Sequence, residues 1–443
     1  MSSSIDVAKE AAQGTVVLFI GNFLSTVIVA LTSIITARLL GPDAFGLYTL
    51  ALVIPNILYL VVGLGVGHSI TRFSAYYLAK GEREVATRFA KNALIFLFLF
   101  GLTLTVITLV LSSYLGTVFL HRQGLETYIE ISSLSILGQT ILLSTVAGLV
   151  GYNSMGWASV WLIVQSLLKL VLVVGLILLG LSVYGALLGY FGSFIVSGIA
   201  GTLVFYFMYL RSKSKQPLNF LSDLKEMLVY GVPLYFGNLT YGIAIQIMTI
   251  FVAAIANNTT IGLYQAAANV SLAISIMSTA LASSLGRSFS SLDGSKANTS
   301  LAFTCASKYI SYLYTPLFFF IFATSSEIMN FLYGNSYVQG AQYLQLLALS
   351  YFPVAIGQPV LGSYFSGISK SKFGMYFQTS AALIIFVSAP VFVYIFASGV
   401  NGLIYSLALS NLLSTILGLY LARKYDECSG GLKIHSEFAL RNA

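Results

Sequence analysis

One charged residue lies deep inside an apolar stretch of this sequence. Lys169 is near the centre of residues 157–180, about 12 residues, or 18 Å of helix, from either end. A lysine side chain does not reach the membrane surface from that depth, and the stretch contains no acidic residue. Gln165 lies one helical turn earlier on the same face. We predict that both residues face protein or water and attract anionic groups. The alternative is a structural lysine that is deprotonated or hydrogen-bonded locally.

Polar stripes on two further stretches could contact a hydrophilic ligand. The first stripe, within about 80° of a helical wheel, consists of Asn22, Ser25, Thr26, Ser33 and Thr36. The second consists of Tyr235, Asn238, Gln246 and Thr249. From these stripes we take Asn22, Ser25, Asn238 and Gln246 as candidate substrate contacts. The same residue types form hydrogen bonds between packed membrane helices, which is the alternative interpretation.

The remaining charged residues lie at the edges of the apolar stretches. Arg38 ends the first stretch on the side opposite its stripe, and His68 and Arg72 end the second, so we expect all three to anchor at interfaces. All 14 acidic residues lie in loops, tails or stretch ends. Proton or sodium antiporters commonly use a carboxylate within the membrane, and none is evident here.

The elements that must position these residues are membrane-spanning helices. The chain is 57% hydrophobic and 8% charged, whereas soluble domains carry about a quarter charged residues. No cleavable signal precedes the first stretch. The net charge of +8 indicates membrane topology rather than a nucleic-acid partner. Cys305 and Cys428 lie in segments expected inside the cell, so we expect no disulfide.

The hydropathy pattern predicts twelve spans. Their limits are 14–37, 46–67, 92–114, 128–151, 157–180, 183–210, 229–254, 262–286, 309–331, 340–365, 374–397 and 400–421. With the N-terminus inside, the inner segments hold 19 of the 22 basic residues. Because basic residues concentrate on the cytoplasmic side, we expect both termini in the cytoplasm.

The sequence repeats near its midpoint. Gly21-Asn22 recurs as Gly237-Asn238, and Gly46-Leu47-Tyr48 recurs as Gly262-Leu263-Tyr264, both at an offset of 216 residues. An even number of spans separates the copies, which predicts two parallel six-helix lobes, 1–215 and 216–443, around a central cavity. The polar linker 211–217 joins them. Residues 218–227 after it are expected to form an amphipathic helix on the inner membrane surface, or a simple connector.

Enzymatic chemistry has no visible site in the sequence. There is no nucleotide-binding P-loop, no metal-ligand spacing and no large outer loop for a donor site. This argues against a primary pump and against a membrane glycosyltransferase or polymerase. We therefore expect a protein that is not an enzyme and needs no cofactor.

Residues Thr36 to Tyr48, with the sequence TARLLGPDAFGLY, resemble the first outer loop of polysaccharide flippases. These belong to the multidrug/oligosaccharidyl-lipid/polysaccharide exporter superfamily. The resemblance implies two six-span lobes with alternating access to a cavity, and a polyprenyl-phosphate-linked oligosaccharide as substrate. It implies a monomer in the cell membrane that contacts membrane lipids and glycan-assembly enzymes. Peptidoglycan-precursor flippases carry additional arginines in the first two spans, where this chain has Ser, Thr and aliphatic residues.

Two alternatives to a flippase stay open at this point. A cation-coupled multidrug antiporter of the same superfamily would have the same spans, but the missing midplane acid argues against it. A membrane scaffold could recruit glycan enzymes through the basic inner loops.

Overall fold

The computed structural model describes residues 2–120, 122–211, 219–271, 289, 296–368, 371–396 and 398–427. Within these residues the regular secondary structure is helical, without β-strands, which confirms the predicted all-α class. The chain forms two compact units, Met1–Ala254 and Ile255–Ala443. The predicted lobes, 1–215 and 216–443, rest on the sequence repeat and stay a prediction.

The described part of the first unit forms eight helices, the last of which ends at the unit boundary. They are α1 Ser2–Gly63, α2 Val66–Ala79, α3 Arg83–Val110, α4 Ser112–Tyr114, α5 Glu126–Gly151, α6 Met155–Leu176, α7 Ser182–Phe205 and α8 Phe220–Ile255. Three π-helical turns extend α4, α6 and α7, at Leu115–Phe119, Ile177–Leu181 and Tyr206–Leu210.

Helix α1 is broken at Gly41, so that it supplies two crossings. Its 62 residues would be about 93 Å long as a straight helix, three times the hydrocarbon thickness. Gly41 has φ 75° and ψ 170°, outside helical geometry, and Pro42 follows it. Glycine adopts this φ without a Cβ clash, and proline lacks the N–H that would continue the helical bonding. The break lies between the first two predicted spans, 14–37 and 46–67.

A second glycine break separates α6 from α7. Gly180 has φ 89° and Ser182 has φ 47°, so the chain reverses between the predicted spans 157–180 and 183–210. Two glycines of α7 then let the helices approach closely. A Cβ added to Gly189 would lie 2.5 Å from Val173 N, and one added to Gly185 would lie 2.8 Å from the Leu176 carbonyl carbon. Small residues at such contacts are typical of packed membrane helices.

Helix α8 is continuous from the linker into the seventh predicted span, and its start is packed against α2 and α3. A Cβ on Gly65 would lie 2.0 Å from the Gly231 carbonyl oxygen. Ser69 Oγ donates a hydrogen bond of 2.6 Å to Met227 O. The amphipathic segment 218–227 is therefore the first turns of this helix, where it is described from Phe220 on.

The described residues of the second unit form eight further helices. They are α9, described at 258–271, α10 Lys296–Ala323, α11 Ser325–Tyr333, α12 Ala341–Ser350, α13 Phe352–Ala355, α14 Gln358–Gly367, α15 Ser371–Pro390 and α16 Gly399–Glu427. A 3₁₀ helix, Asn335–Gly340, precedes α12, and a π-helical turn, Val391–Ile395, extends α15.

The described helices agree with a multi-span membrane protein. Seven helical stretches are long and apolar enough to cross a membrane, or up to nine if each of two bent pairs is one span. Gln13–Ala79 and Met155–Leu210 are two of the seven, and each contains a break described above and covers two predicted spans. The eighth predicted span, 262–286, begins in α9 and continues outside the described residues. The prediction of a membrane protein with many spanning helices is thus confirmed.

Candidate functional site around Lys169

The α6–α7 hairpin carries Gln165 and Lys169, the two residues predicted to attract anionic groups. Gln165 and Lys169 lie on α6, and Ser193 lies on the facing side of α7. Gln165 is buried, and its Nε2 donates a hydrogen bond of 3.4 Å to Ser193 Oγ. The predicted candidate Gln165 is thus placed between the two helices and joins them.

Lys169 lies against an aromatic ring rather than an acid. Its Nζ is 4.7 Å from the centroid of the Tyr190 ring, which belongs to α7. In the described part of the chain no carboxylate pairs with Lys169. The lysine side chain is partly exposed, whereas Tyr190 is buried. The amine therefore points into the unit and keeps its positive charge uncompensated by an acid when it is protonated.

Two further tyrosines lie close to Tyr190. Its side chain lies near those of Tyr48 and Tyr59, both from the part of α1 after the Gly41 break. Tyr48 is buried, and its ring stacks on that of Phe45 at 6.1 Å between centroids. The end of the segment 36–48, which resembles the flippase loop, is therefore connected to the Lys169 site through a tyrosine cluster.

The stripe on α1 is used partly for helix packing. Ser25 Oγ donates a hydrogen bond of 3.1 Å to Leu162 O of α6. In the reverse direction, Ser159 Oγ donates a bond of 3.0 Å to Val17 O of α1. Asn22 is exposed, and its side-chain amide donates to Leu18 O within its own helix. Of the two candidates on this stripe, Asn22 is accessible and Ser25 joins α1 to α6, as the alternative interpretation expects.

The candidates on α8 are less defined. The Asn238 side chain lies outside the described residues. Gln246 is partly exposed. Tyr235, on the same predicted stripe, lies near the end of the second span. Its ring centroid is 6.2 Å from that of His68, and its side chain lies near that of Tyr59. The structure does not bring Gln246 into contact with Lys169 or Gln165 among the interactions it describes.

A second, partly buried cation, Arg88, forms an ion pair that the sequence does not predict. Arg88 Nε lies 2.9 Å from Asp223 Oδ2, and its Nη2 donates to Asp223 Oδ1 at 3.1 Å. Asn92 Nδ2 donates to Asp223 Oδ2 at 2.8 Å. Asp223 is 3% exposed and Asn92 2%. We call these three residues the Arg88 cluster, and they hold the start of α8 on α3. The i, i+4 spacing of Arg88 and Asn92 was the available signal.

The described residues contain no group of three or more His, Cys, Asp or Glu side chains that could bind a metal ion. The Lys169 site offers an ammonium, an amide and hydroxyl groups. Such groups bind phosphate and sugar oxygens through hydrogen bonds, of which those to a charged group are the strongest.

Comparison with known proteins gives a family for the chain. The sequence profile described as "Polysaccharide biosynthesis protein" matches residues 11–285, more than half of the chain. No curated protein matches significantly.

Solved structures share the fold at low sequence identity. An inward-facing multidrug resistance MATE family transporter of the MOP superfamily is 20% identical at a TM-score of 0.75, over 91% of this chain and 95% of that one. The lipid II flippase MurJ in an inward closed conformation is 14% identical at a TM-score of 0.76, over 92% and 87%. A MOP superfamily transporter from Pyrococcus furiosus is 19% identical at a TM-score of 0.66, over 96% and 97%. The chain therefore has the fold of these transporters.

Proposed function

The chain belongs to the polysaccharide biosynthesis protein family, and from this premise we propose that it is a lipid-linked oligosaccharide flippase. It would move its substrate, attached to a polyprenyl phosphate carrier, from the inner to the outer leaflet by alternating access. The single observation that carries the proposal is the family match over residues 11–285.

Lys169 is the proposed contact for the phosphate of the carrier. Its amine lies in the interior of an apolar unit without a paired acid among the described residues, so an anionic group would find an uncompensated positive charge there. Gln165, Asn22, Ser25, Asn238 and Gln246 are the proposed polar contacts, with oxygen and nitrogen atoms that suit sugar hydroxyls. Ser25 would have to exchange its bond to Leu162 O for such a contact.

The fold alone leaves a multidrug antiporter as the competing activity. Multidrug resistance transporters and a lipid II flippase match at similar TM-scores, 0.75 and 0.76. The family match favours the flippase, because it is a match of sequence to polysaccharide biosynthesis proteins. The basic residue at the site favours it too, because a cationic drug would be repelled by Lys169.

We further propose that the protein lies in the cell membrane with both termini in the cytoplasm. The distribution of basic residues, 19 of 22 on the proposed inner side, supports this orientation. Membrane lipids surround the helices, and cytoplasmic glycan-assembly enzymes supply the substrate.

Transport by purified protein in vesicles tests the proposal. Vesicles are loaded with a labelled polyprenyl-diphosphate-linked oligosaccharide, and the fraction oxidised by membrane-impermeant periodate is followed with time. We expect the wild type to accelerate transfer between leaflets. With Lys169→Ile, the transfer rate should fall to that of vesicles without protein. Lys169→Arg keeps the charge and should retain most of the activity.

The outcomes of the vesicle assay distinguish a flippase from an antiporter and test the role of Lys169. A wild type that leaves the oligosaccharide lipid in place, but exports a cationic dye on a sodium or proton gradient, is an antiporter. Wild-type transport by Lys169→Ile would remove Lys169 from the site and leave the flippase assignment intact.

A further inference from the structure

The second unit contains a hairpin that matches α6–α7 contact by contact. A Cβ on Gly185 would lie 2.8 Å from the Leu176 carbonyl carbon, and a Cβ on Gly402 would lie 2.9 Å from the Phe392 carbonyl carbon. The left-handed residue that begins the second helix is Ser182 in one hairpin and Gly399 in the other. These pairs place α6 on α15 at an offset of 216 residues and α7 on α16 at an offset of 217.

Hydrogen bonds between the helices follow the same offsets. Gln165 donates to Ser193 Oγ in the first hairpin. At the corresponding positions of the second, Ser410 Oγ donates 2.7 Å to Ala381 O. The two hairpins therefore align in register through the level of the candidate site.

At this level the two hairpins differ in polarity. The positions that correspond to Lys169 and Tyr190 hold Ile385 and Leu407, which are 1% and 5% exposed. The same helix pair is thus built with two aliphatic residues in one unit and with a lysine on a tyrosine ring in the other. The second hairpin packs with aliphatic side chains at these two positions, and its nearest polar pair is Ser388 and Ser406, 2.6 Å apart between their hydroxyl oxygens. A cation on an aromatic ring is therefore not a requirement of the hairpin packing.

Resting on the proposed function, we infer that Tyr190 is a positioning residue for the anion site. The face of its ring holds the Lys169 ammonium, with Nζ 4.7 Å from the ring centroid, in an apolar unit where that charge would otherwise be unsolvated. A ring stabilises a cation through its quadrupole and carries no net charge. A carboxylate in its place would neutralise the lysine and compete with the phosphate of the substrate.

The surroundings of Tyr190 fit this role. The residue is buried, and its ring is packed edge-on against Phe194, with 5.1 Å between centroids. Such packing fixes the ring while Lys169 remains partly exposed. The ammonium therefore has one face on the ring and its remaining N–H donors free to meet a phosphate, in an arrangement that persists when the substrate leaves.

Of the two hairpins, α6–α7 carries a cation at the level of the candidate site and the described α15–α16 does not. In the described α15 and α16, the basic residues are Lys372, Arg423 and Lys424, all at helix ends. Ile385 and Leu407, at the level of the candidate site, are uncharged and buried.

Binding of a short-chain polyprenyl phosphate, compared with the polyprenol of the same length, isolates the contribution of this charge. The wild type in detergent should prefer the phosphate, and Lys169→Ile should lose the preference. Tyr190→Leu, which copies Leu407, should weaken phosphate binding about 3- to 20-fold and leave polyprenol binding unchanged. Tyr190→Phe, which keeps the ring, should bind like the wild type.

A control tyrosine and a folding measurement complete the design. Tyr206, in the π-helical turn after α7, is 43% exposed, and Tyr206→Leu should retain the full preference. Thermal unfolding of each variant identifies misfolded protein, and Tyr190→Phe serves as the matched variant if Tyr190→Leu is unstable. In that case Tyr190→Met, which keeps bulk without a ring, replaces the leucine variant.

The results separate this inference from the flippase proposal. An unchanged phosphate preference in Tyr190→Leu, with transport still dependent on Lys169, overturns the positioning role and leaves the flippase in place. An equal loss in Tyr190→Phe and Tyr190→Leu also overturns it, because the hydroxyl would then act. A weaker phosphate preference in Tyr190→Leu, together with an unchanged preference in Tyr190→Phe, supports the role, even if the wild type transports no oligosaccharide lipid.

Discussion

Two cations of the first unit are treated in opposite ways. Arg88 is paired with Asp223 through two hydrogen bonds, and Asn92 donates a third to the same carboxylate. Lys169 lies on the ring of Tyr190, with no paired acid among the described residues. The charge of Arg88 is neutralised within the protein, whereas the charge of Lys169 is available to an anionic ligand.

The difference separates a structural charge from an available one. The Arg88 cluster joins the start of α8 to α3, 131 residues apart between Asn92 and Asp223, so its role is to hold two distant segments together. Lys169 joins no distant segments through an ion pair, and its aliphatic counterpart Ile385 shows that the helix packs without it. Function is therefore more readily assigned to Lys169 than to Arg88.

The largest expected effect is on stability, at the paired site. Asp223→Asn leaves the Arg88 guanidinium, 14% exposed in its side chain, without a counter-charge in a buried position. Removing one partner of a buried ion pair costs about 3–5 kcal/mol. We expect the free energy of unfolding to fall by that amount, measured by titrating the purified protein from mild detergent into denaturing detergent.

Replacing both partners is the matched control for this loss. The double variant Arg88→Met with Asp223→Leu should recover much of the stability, because apolar residues of similar volume often replace a buried pair without cost. Lys169→Ile, by the same reasoning, should leave the free energy of unfolding unchanged or raised. Equal destabilisation by Lys169→Ile and Asp223→Asn would mean that both cations are structural.

Removing the neutral member of the Arg88 cluster should have the next largest effect. Asn92→Ala deletes the 2.8 Å hydrogen bond to Asp223 Oδ2, and hydrogen bonds to charged groups are worth about 1.5–3 kcal/mol. We expect the free energy of unfolding to fall by that amount in the same detergent titration, with transport by the remaining folded protein preserved. Asn92→Leu is the companion variant, since it fills the space that alanine leaves, and a transport defect in either would assign the cluster a part in the transport cycle.

Adding an acid beside Lys169 would convert the available charge into a paired one. Gln165 is one turn away on α6 and differs from glutamate only in its terminal amide. Gln165→Glu should pair with Lys169 at i, i+4 spacing. We expect it to lower the affinity for a polyprenyl phosphate about tenfold, since two opposite charges about 4 Å apart interact with at least about 1 kcal/mol, and more strongly where water is partly excluded. Competition binding with the phosphate at constant ionic strength measures this change.

Gln165→Leu separates the added charge from the lost hydrogen bond to Ser193. This variant should bind the phosphate within about twofold of the wild type, because the bond of 3.4 Å is longer than a normal N–H···O hydrogen bond and therefore weak. If Gln165→Glu binds as tightly as the wild type, the positive charge of Lys169 does not reach the ligand, and the contrast with Arg88 loses its functional meaning.

The same two sites show which features the sequence predicts. Apolar length predicts the spans, because a bilayer leaves a chain little choice of structure. The break at Gly41 accordingly falls between two predicted spans, and the break at Gly180 at the end of another. Lys169 stands out because a charge at the middle of a span is rare. These features can be predicted because each depends on residues that are close together in the sequence.

Pairings between distant segments were not visible in the same way. In the amphipathic helix predicted for residues 218–227, Leu221, Leu224 and Leu228 recur at helical spacing beside Asp223. In the structure Leu221 is 79% exposed and Asp223 3% exposed, because the acid faces Arg88 and Asn92 of α3. Tyr190 escaped notice although it lies ten residues after Gly180 and Lys169 eleven before it. An antiparallel hairpin about Gly180 brings these positions together, so the break itself was the missed signal.

The smallest expected effect tests whether the α1 stripe belongs with the structural residues or with the available ones. Ser25→Ala removes the bond from Oγ to Leu162 O, and such bonds between membrane helices average about 0.6 kcal/mol. If Ser25 only joins α1 to α6, the free energy of unfolding falls by about that amount and transport is unchanged.

Asn22→Ala is the matched variant on the same stripe, since the Asn22 amide forms a hydrogen bond within its own helix and its side chain is exposed. We expect Asn22→Ala to slow oligosaccharide transfer in the vesicle assay with little change in unfolding. The reverse result, slowed transfer in Ser25→Ala and a purely structural loss in Asn22→Ala, would exchange the roles of the two residues.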